Sequence, residues 1–162
     1  MNETSMPLIV NLRHLDEQEI HLRGELPVEE LALEVRDELI RVTKPLVYDL
    51  RLEKMDESVL VQGRLRLILD CECARCLQPF EHEVVLTGWA LHLPLAGEDK
   101  VSLDGDFLDL TPFVREDILL EFPQHPLCKP DCSGLKKKSG GHKSGAKKSE
   151  PSAWSELDKL KL

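Results

Sequence analysis

The chain has 162 residues, of which 41% are hydrophobic and only 4% aromatic, and its formal net charge is −9. This length suits one compact domain plus a tail, with a core built mainly from Leu and Val. Residues 1–12 lack the basic and apolar regions of a signal peptide, and no segment approaches the roughly 20 apolar residues of a membrane-spanning helix. We therefore expect a cytoplasmic protein, in which clustered cysteines are more often metal ligands or reactive thiols than disulfides.

Charge is distributed unevenly along the chain. Up to Gly134 there are 13 Lys and Arg against 27 Asp and Glu, a net charge of −14, whereas from Leu135 onward 8 Lys oppose 3 acidic residues. Affinity for nucleic acid depends largely on cations that displace counterions from phosphates, so the acidic body disfavours direct RNA or DNA binding. Only the tail has the suitable sign, and its candidate nucleic-acid contacts are Lys136, Lys137 and Lys138.

The first section of the chain predicts an extended segment and then one short helix. Residues 9–26 are expected to be extended. Pro27, followed by Glu29 and Glu30, favours a helix over 27–35, because proline suits the first helical turn and carboxylates suit the positive end of the helix dipole.

Two antiparallel hairpins are predicted in the middle of the chain. Apolar and polar residues alternate in 46–55 and 59–69, and the polar segment 56–58 between them predicts a turn. A third strand, over 81–93, should pair with the strand that ends at Cys71. The connection between these last two strands then holds the first group of cysteines.

The last third of the chain predicts an exposed loop over 94–106 and one helix. Thr111 is predicted as the N-cap and Pro112 as the first helical residue. Pro123 and Pro126 stop this helix, because proline interrupts helical hydrogen bonding.

The tail has two predicted parts. Residues 135–152 are rich in Lys, Gly and Ser and cannot bury enough apolar surface to offset the entropy of ordering, so we expect a disordered linker. In residues 153–162 the spacing of Trp154, Leu157 and Leu160 predicts a short docking helix with one apolar face.

All five cysteines fall in two short stretches, one with Cys71, Cys73 and Cys76 and one with Cys128 and Cys132. Two residues between Cys73 and Cys76 let both thiolates point at one tetrahedral ion, and the spacing of Cys128 and Cys132 is also within the range of zinc ligands. These four cysteines therefore predict one structural zinc ion that joins a hairpin tip to the turn after the last helix.

Other interpretations of the cysteines stay open at this point. Cys71 lies outside the set as a spare thiol or a group beside the ligands, and His82 and His125 are alternative ligands. A redox dithiol competes with zinc, although a thioredoxin-like pair begins a helix whereas this pair bridges two strands. Reduced cysteines that only pack are the third interpretation. No histidine belongs to a nucleophile–base pattern, so no catalytic residue is predicted.

The residues around the cysteines form an ordered set of motifs: Cys73-x-Arg75-Cys76-Leu77-x-Pro79-Phe80, then Asp109-Leu-x-x-x-Val114-x-Glu116-x-Ile118-Leu119-Leu120-x-x-Pro123, then Pro126-Leu-Cys128-x-x-Asp131-Cys132-x-Gly134-Leu135. In this order they resemble the YceD family, over roughly residues 8–135. The terminal Trp154-x-x-Leu157-x-x-Leu160 is similar to the family's closing apolar motif. Many relatives continue with a Cys-Pro-x-Cys-Gly pair where this chain has Lys136-Lys-Lys-Ser-Gly-Gly141, which leaves the four cysteines as the full ligand set.

The resemblance implies a bacterial, non-enzymatic factor for large-subunit ribosomal RNA accumulation and ribosome assembly. We predict an α+β fold over residues 1–134, with a twisted, partly barrel-like antiparallel sheet of long hairpins, two short helices and the disordered basic tail. Because the body is acidic, the predicted partner is a basic ribosomal protein or assembly factor, contacted by Arg75, Trp154 and Leu157. The ribosomal RNA would be bound directly or indirectly. The alternatives are a zinc-dependent or thiol-redox enzyme and an interaction module unrelated to ribosomes.

Overall fold

The structure is a computed structural model that describes residues 8–136 of the chain. These residues form seven strands and three helices. In chain order they are β1 (Ile9–Asn11), α1 (Leu12–Glu17), β2 (Ile20–Leu26), α2 (Val28–Leu31), β3 (Ile40–Arg41), β4 (Leu46–Met55), β5 (Ser58–Glu72), β6 (Pro79–Pro94), β7 (Phe107–Asp109) and α3 (Thr111–Leu120). The predicted α+β class with a curled antiparallel sheet is confirmed, with one helix more than expected.

The long strands form one antiparallel sheet around β5. Along one edge β5 pairs with β6, from Ser58 opposite Pro94 to Glu72 opposite Pro79. Along its other edge β5 pairs first with β4 and then, near its end, with β3, while β2 pairs with β4. β1 and β7 form a separate two-stranded ribbon. Both predicted hairpins are confirmed, and the tip of the β5–β6 hairpin is the segment 73–78.

Apolar side chains alternate along the strands and face one core. On β5 every second residue from Val59 to Cys71 is buried, apart from Gly63. This period of two is the pattern that places alternate side chains on one face of a sheet. On α3, Val114 and Ile118 lie four residues apart and are buried in the same core.

A β-bulge in β6 changes which of its side chains face the core. Gly63 pairs with Trp89, but two residues later on β5 the partner is Leu86, so β6 holds one extra residue. As a result Val84 is buried before the bulge and Trp89 after it. The Trp89 indole N–H donates a hydrogen bond of 2.5 Å to the Asp117 carboxylate. The bulge therefore places Trp89 on the side of the sheet where its indole bonds to α3.

Two predictions for the first section of the chain were wrong in detail. The segment 9–26 is not extended throughout, because α1 interrupts it. The Asn11 side chain caps this helix by accepting a hydrogen bond of 3.0 Å from the Arg13 backbone N–H. The helix predicted over 27–35 is also shorter, since Ala32 takes a left-handed conformation (φ 45°) and ends α2 at the preceding residue.

The start of α3 also differs from the prediction. Thr111 is the first helical residue and Leu110 is the N-cap. The Asp109 carboxylate, rather than the Thr111 hydroxyl, accepts a hydrogen bond at this end, from the Thr111 backbone N–H at 2.8 Å. The helix ends at Leu120, before Pro123, in agreement with the prediction.

The predictions for the tail lie outside the described residues. They are the linker over 135–152, except for its first two residues, the docking helix over 153–162, and the candidate contacts Lys137, Lys138, Trp154 and Leu157. The domain boundaries accordingly stay predictions. Within residues 8–136, no helix is both long enough and apolar enough to cross a membrane.

Candidate metal centre

The first pair of cysteines lies at the tip of the β5–β6 hairpin. The backbone N–H of Cys73 donates to the Gln78 carbonyl at 2.9 Å, and the backbone N–H of Leu77 donates to the Cys73 carbonyl at 2.9 Å. These bonds fold residues 73–78 into a tight turn around Cys76. Leu77 adopts a left-handed conformation (φ 59°), which costs a residue with a side chain about 1 kcal/mol.

The second pair of cysteines follows α3. The prolines at 123 and 126 prevent the helix from continuing, so the chain turns back toward the hairpin tip. The backbone N–H of Cys132 donates to the Lys129 carbonyl at 3.1 Å, which forms a turn between Cys128 and Cys132. Gly134 follows with φ 81°, a conformation that glycine adopts without strain.

Two hydrogen bonds join these segments independently of any metal. The backbone N–H of Ala74 donates to the Pro126 carbonyl at 2.8 Å. The Arg75 guanidinium donates through Nη1 to the Cys132 carbonyl at 3.0 Å. Arg75 therefore helps to orient the second pair of cysteines, and its predicted contact with a partner stays a prediction.

The structure brings together the four cysteines that the sequence predicted as metal ligands. Their sulfur atoms all lie within 4.8 Å of one another. The Sγ atoms of Cys73 and Cys132 are 3.7 Å apart, as are those of Cys76 and Cys128. Four thiolates placed about 2.3 Å from a tetrahedral zinc ion have sulfur atoms about 3.8 Å apart. The cluster is therefore compatible with a zinc site, and its sulfur spacing is far longer than the ~2.05 Å of a disulfide.

The four thiols differ in burial, and the pKa values of Cys73 and Cys128 are shifted in opposite directions. Cys73 and Cys132 are buried, whereas Cys128 is exposed. The backbone N–H of Cys128, together with those of Cys76 and Arg75, donates to the Cys73 sulfur and lowers the pKa of Cys73 to about 6. The pKa of Cys128 is raised to about 12, first by the loss of solvent around its sulfur and then by the neighbouring thiols. Because adjacent thiolates repel one another, a divalent cation is needed to hold all four deprotonated.

The other candidate ligands do not join this cluster. Cys71 is buried in the hydrophobic core. Among the residues that the structure describes, neither His82 nor His125 belongs to a group of three or more possible ligands. Four thiolates fill a tetrahedral site and leave no open position for a water molecule, which is the property of a structural zinc site rather than a catalytic one.

A cavity of about 450 Å³ lies directly beside the cysteines, and sequence analysis did not predict it. Its walls include Cys76, Cys128 and Cys132 as well as Lys129, Leu135 and Lys136. Leu135 is 67% exposed, and Leu77 at the hairpin tip is 54% exposed. The sequence holds no signal for this cavity, because its walls come from two segments whose cysteines, Cys76 and Cys128, are 52 positions apart.

Comparison with known proteins gives a family match over a range that includes the residues of this centre. A model of the family described as large ribosomal RNA subunit accumulation protein YceD matches residues 61–161. Uncharacterized proteins of Mycobacterium tuberculosis and Mycobacterium bovis are each 35% identical over 95 residues, which is 54% of this chain and 46% of theirs. One of Mycobacterium leprae is 31% identical over 99 residues, which is 56% of this chain and 46% of its own.

The chain thus spans about half the length of the curated relatives it matches. No solved structure matches it. The family model covers more than half of the chain, including all of β6, α3 and the four clustered cysteines. The chain therefore belongs to the YceD family, the large ribosomal RNA subunit accumulation proteins.

Proposed function

We propose that this protein is a non-enzymatic cytoplasmic factor that supports large-subunit ribosomal RNA accumulation and ribosome assembly by holding a basic ribosomal protein or assembly factor. The observation that carries the proposal is membership of a family described by that role, over residues 61–161. The acidic body supplies the attraction, since a net charge of −14 up to Gly134 speeds encounters with cationic proteins.

One structural zinc ion is part of the proposal. It would be held by Cys73, Cys76, Cys128 and Cys132 and would join the hairpin tip to the segment after α3. The sulfur spacing of 3.7 Å supports this set of ligands. The number of ligands argues against a zinc hydrolase, because catalytic zinc needs an open coordination position that four thiolates do not leave.

The surface proposed for the basic partner is at the end of the sheet remote from the cysteines. The 15 residues of β5 extend about 50 Å between the hairpin tip and the β4–β5 turn. Four exposed carboxylates lie at or beside that turn: Asp56, Glu57, Glu98 and Asp99. A hydrogen bond of 2.8 Å from the Leu95 backbone N–H to the Glu57 carbonyl joins the two loops that carry them.

These carboxylates are free to meet external cations. In the described part of the chain none of the four takes part in an ion pair. By contrast, several acidic residues of the sheet are paired within the protein, as Glu83 is with Arg66. The end of the sheet is therefore a concentrated source of negative charge that the fold does not neutralise.

The test compares two triple charge reversals with the same net charge. Changing Glu57, Glu98 and Asp99 to Lys should reduce capture of basic large-subunit proteins and remove co-sedimentation with large-subunit precursors in sucrose gradients. The matched control changes Glu25, Glu34 and Glu38, which are also exposed and free of ion pairs within residues 8–136, and should leave both measurements unchanged. Equal losses in both variants would mean that only total charge matters and would reject this surface.

A cellular measurement tests the role itself. Depletion of the protein should lower the ratio of large-subunit to small-subunit ribosomal RNA, and the wild-type chain should restore it. The chain with the control triple reversal should also restore it, whereas the chain with Glu57, Glu98 and Asp99 reversed should not. An unchanged ratio after depletion would contradict the proposed function.

A further inference from the structure

The surface around the cysteines carries exposed cations on an otherwise acidic body. Apart from the cysteines, the segments 73–78 and 128–136 contain three cations, Arg75, Lys129 and Lys136, and one anion, Asp131. A zinc ion held by four thiolates would carry a charge of −2, so the net charge of these segments would be about zero. Neither Lys129 nor Lys136 forms an ion pair with another described residue. Both line the cavity of about 450 Å³ beside the cysteines. Lys129 and Lys136 therefore offer cations to an anionic ligand at this end of the protein, where the net charge is close to zero.

Leu77 gives this surface an apolar element that the fold does not need. Its side chain is 54% exposed, so it contributes little to the core, and its left-handed backbone (φ 59°) would be relaxed with glycine. Leu77 stands between Cys76 and Gln78, which both line the cavity. Leu135, also exposed, is itself one of the residues that line the cavity. A strained residue with an exposed apolar side chain indicates selection for an external contact.

We propose that single-stranded RNA binds this surface, with phosphates at Lys129 and Lys136 and bases against Leu77 and Leu135. We call these four residues together with Arg75 the knuckle face. The inference rests on the proposed function and names its RNA contact. Unstacked bases offer apolar faces beside regularly spaced phosphates, which matches exposed leucines flanked by lysines.

The experiment measures binding of a short fluorescein-labelled single-stranded RNA of mixed sequence to the full-length, zinc-loaded protein. Leu77→Gly and Leu77→Ala should both weaken binding about tenfold, the factor expected for losing one buried leucine contact. Leu77→Gly should at the same time melt no lower than the wild type, because glycine relieves the backbone strain. Lys129→Ala should reduce the slope of log Kd against log salt by about 0.7, as for one lost phosphate contact.

Two control variants remove similar side chains elsewhere. Leu120→Ala removes a leucine that is 81% exposed at the end of α3, and Lys100→Ala removes an exposed lysine of the acidic end. Neither should change RNA affinity by more than about twofold. Unchanged affinity in both Leu77 variants, or no RNA binding by the wild type, would overturn the inference. So would variants that bind RNA normally but lose binding to polyglutamate, since the face would then dock acidic proteins.

Failure of this inference can be distinguished from failure of the proposed function. If the wild type co-sediments with large-subunit precursors but the Leu77 variants bind RNA normally, the ribosomal role stands and the RNA contact lies elsewhere. If the Leu77 variants lose RNA binding while depletion leaves ribosomal RNA unchanged, the knuckle face binds RNA and the ribosomal role is wrong.

Discussion

Most of the stability that the zinc site adds to the folded protein should come from joining distant parts of the chain. The test is the double substitution of Cys76 and Cys128 to Ser, which leaves the buried pair Cys73 and Cys132 unable to hold zinc alone. Cys128 is exposed and Cys76 half-buried, so serine at these positions costs little apart from the metal. Any large loss of stability in this variant must therefore come from the absent zinc.

The expected magnitude follows from the length of the closed loop. Cys73 and Cys132 are 59 positions apart, and a cross-link over a loop of that length lowers the entropy of the unfolded chain by an amount worth about 4 kcal/mol at 25 °C. For a domain of this size that corresponds to a fall in Tm of about 10–15 °C. The stabilisation should also rise by about 1.4 kcal/mol for each tenfold increase in free zinc, because zinc binds the folded state.

The assay combines metal analysis with urea unfolding, with and without a chelator. The wild type should carry one zinc per chain, and removal of that zinc should lower its free energy of unfolding to that of the double variant. Cys71→Ala is the matched control, because Cys71 is buried outside the cluster and its loss should leave the zinc content unchanged. A wild type that purifies without zinc, or whose stability is insensitive to the chelator, would refute the argument.

Three further substitutions test single contacts, two within the fold and one beside the cysteines. Gly63→Ala should cost about 3 kcal/mol in urea unfolding, since a Cβ there would lie 2.1 Å from a carbonyl oxygen of β4, whereas Gly88→Ala, which meets nothing within 4 Å, should be nearly neutral. Asp117→Ala should cost about 2 kcal/mol, because it leaves the indole N–H of a buried tryptophan without its acceptor, and equal stability would exclude that role. Arg75→Ala should lower zinc affinity about tenfold in chelator competition, and Arg75→Lys should not restore it if the planar guanidinium is what orients the ligand turn.

The hairpins and the metal cluster could be predicted from the sequence because both depend on short-range patterns. Strand pairing follows from alternation, which extends from Val59 to Cys71 with an exception only at Gly63. The spacing within each cysteine pair limits the geometry of its thiolates, so Cys73 and Cys76 were recognisable as one half of a site. That the two halves meet follows from α3, whose end at Leu120 was signalled by the prolines that follow it.

The features that sequence analysis missed depend on tertiary contacts or on single backbone angles. α1 has six residues, too few for an apolar period to be visible, and its cap is the side chain of Asn11. The bulge in β6 shifts the alternation by one residue and is defined only by pairing with β5. The strain at Leu77 is likewise invisible in composition, because a leucine normally indicates a buried position rather than an exposed turn.

The separation of charge along β5 reconciles the acidic composition with an RNA contact. Within the sheet β5 is paired on both edges for most of its length, so its 15 residues, about 50 Å of strand, hold the acidic end apart from the knuckle face. At physiological salt the Debye length is about 8 Å, so the carboxylates near Glu57 are screened from an anion beside Lys129. The total charge therefore does not determine what each end binds. Acidic residues along the sheet repel RNA from the body, while the knuckle face presents unpaired lysines where that repulsion is weakest.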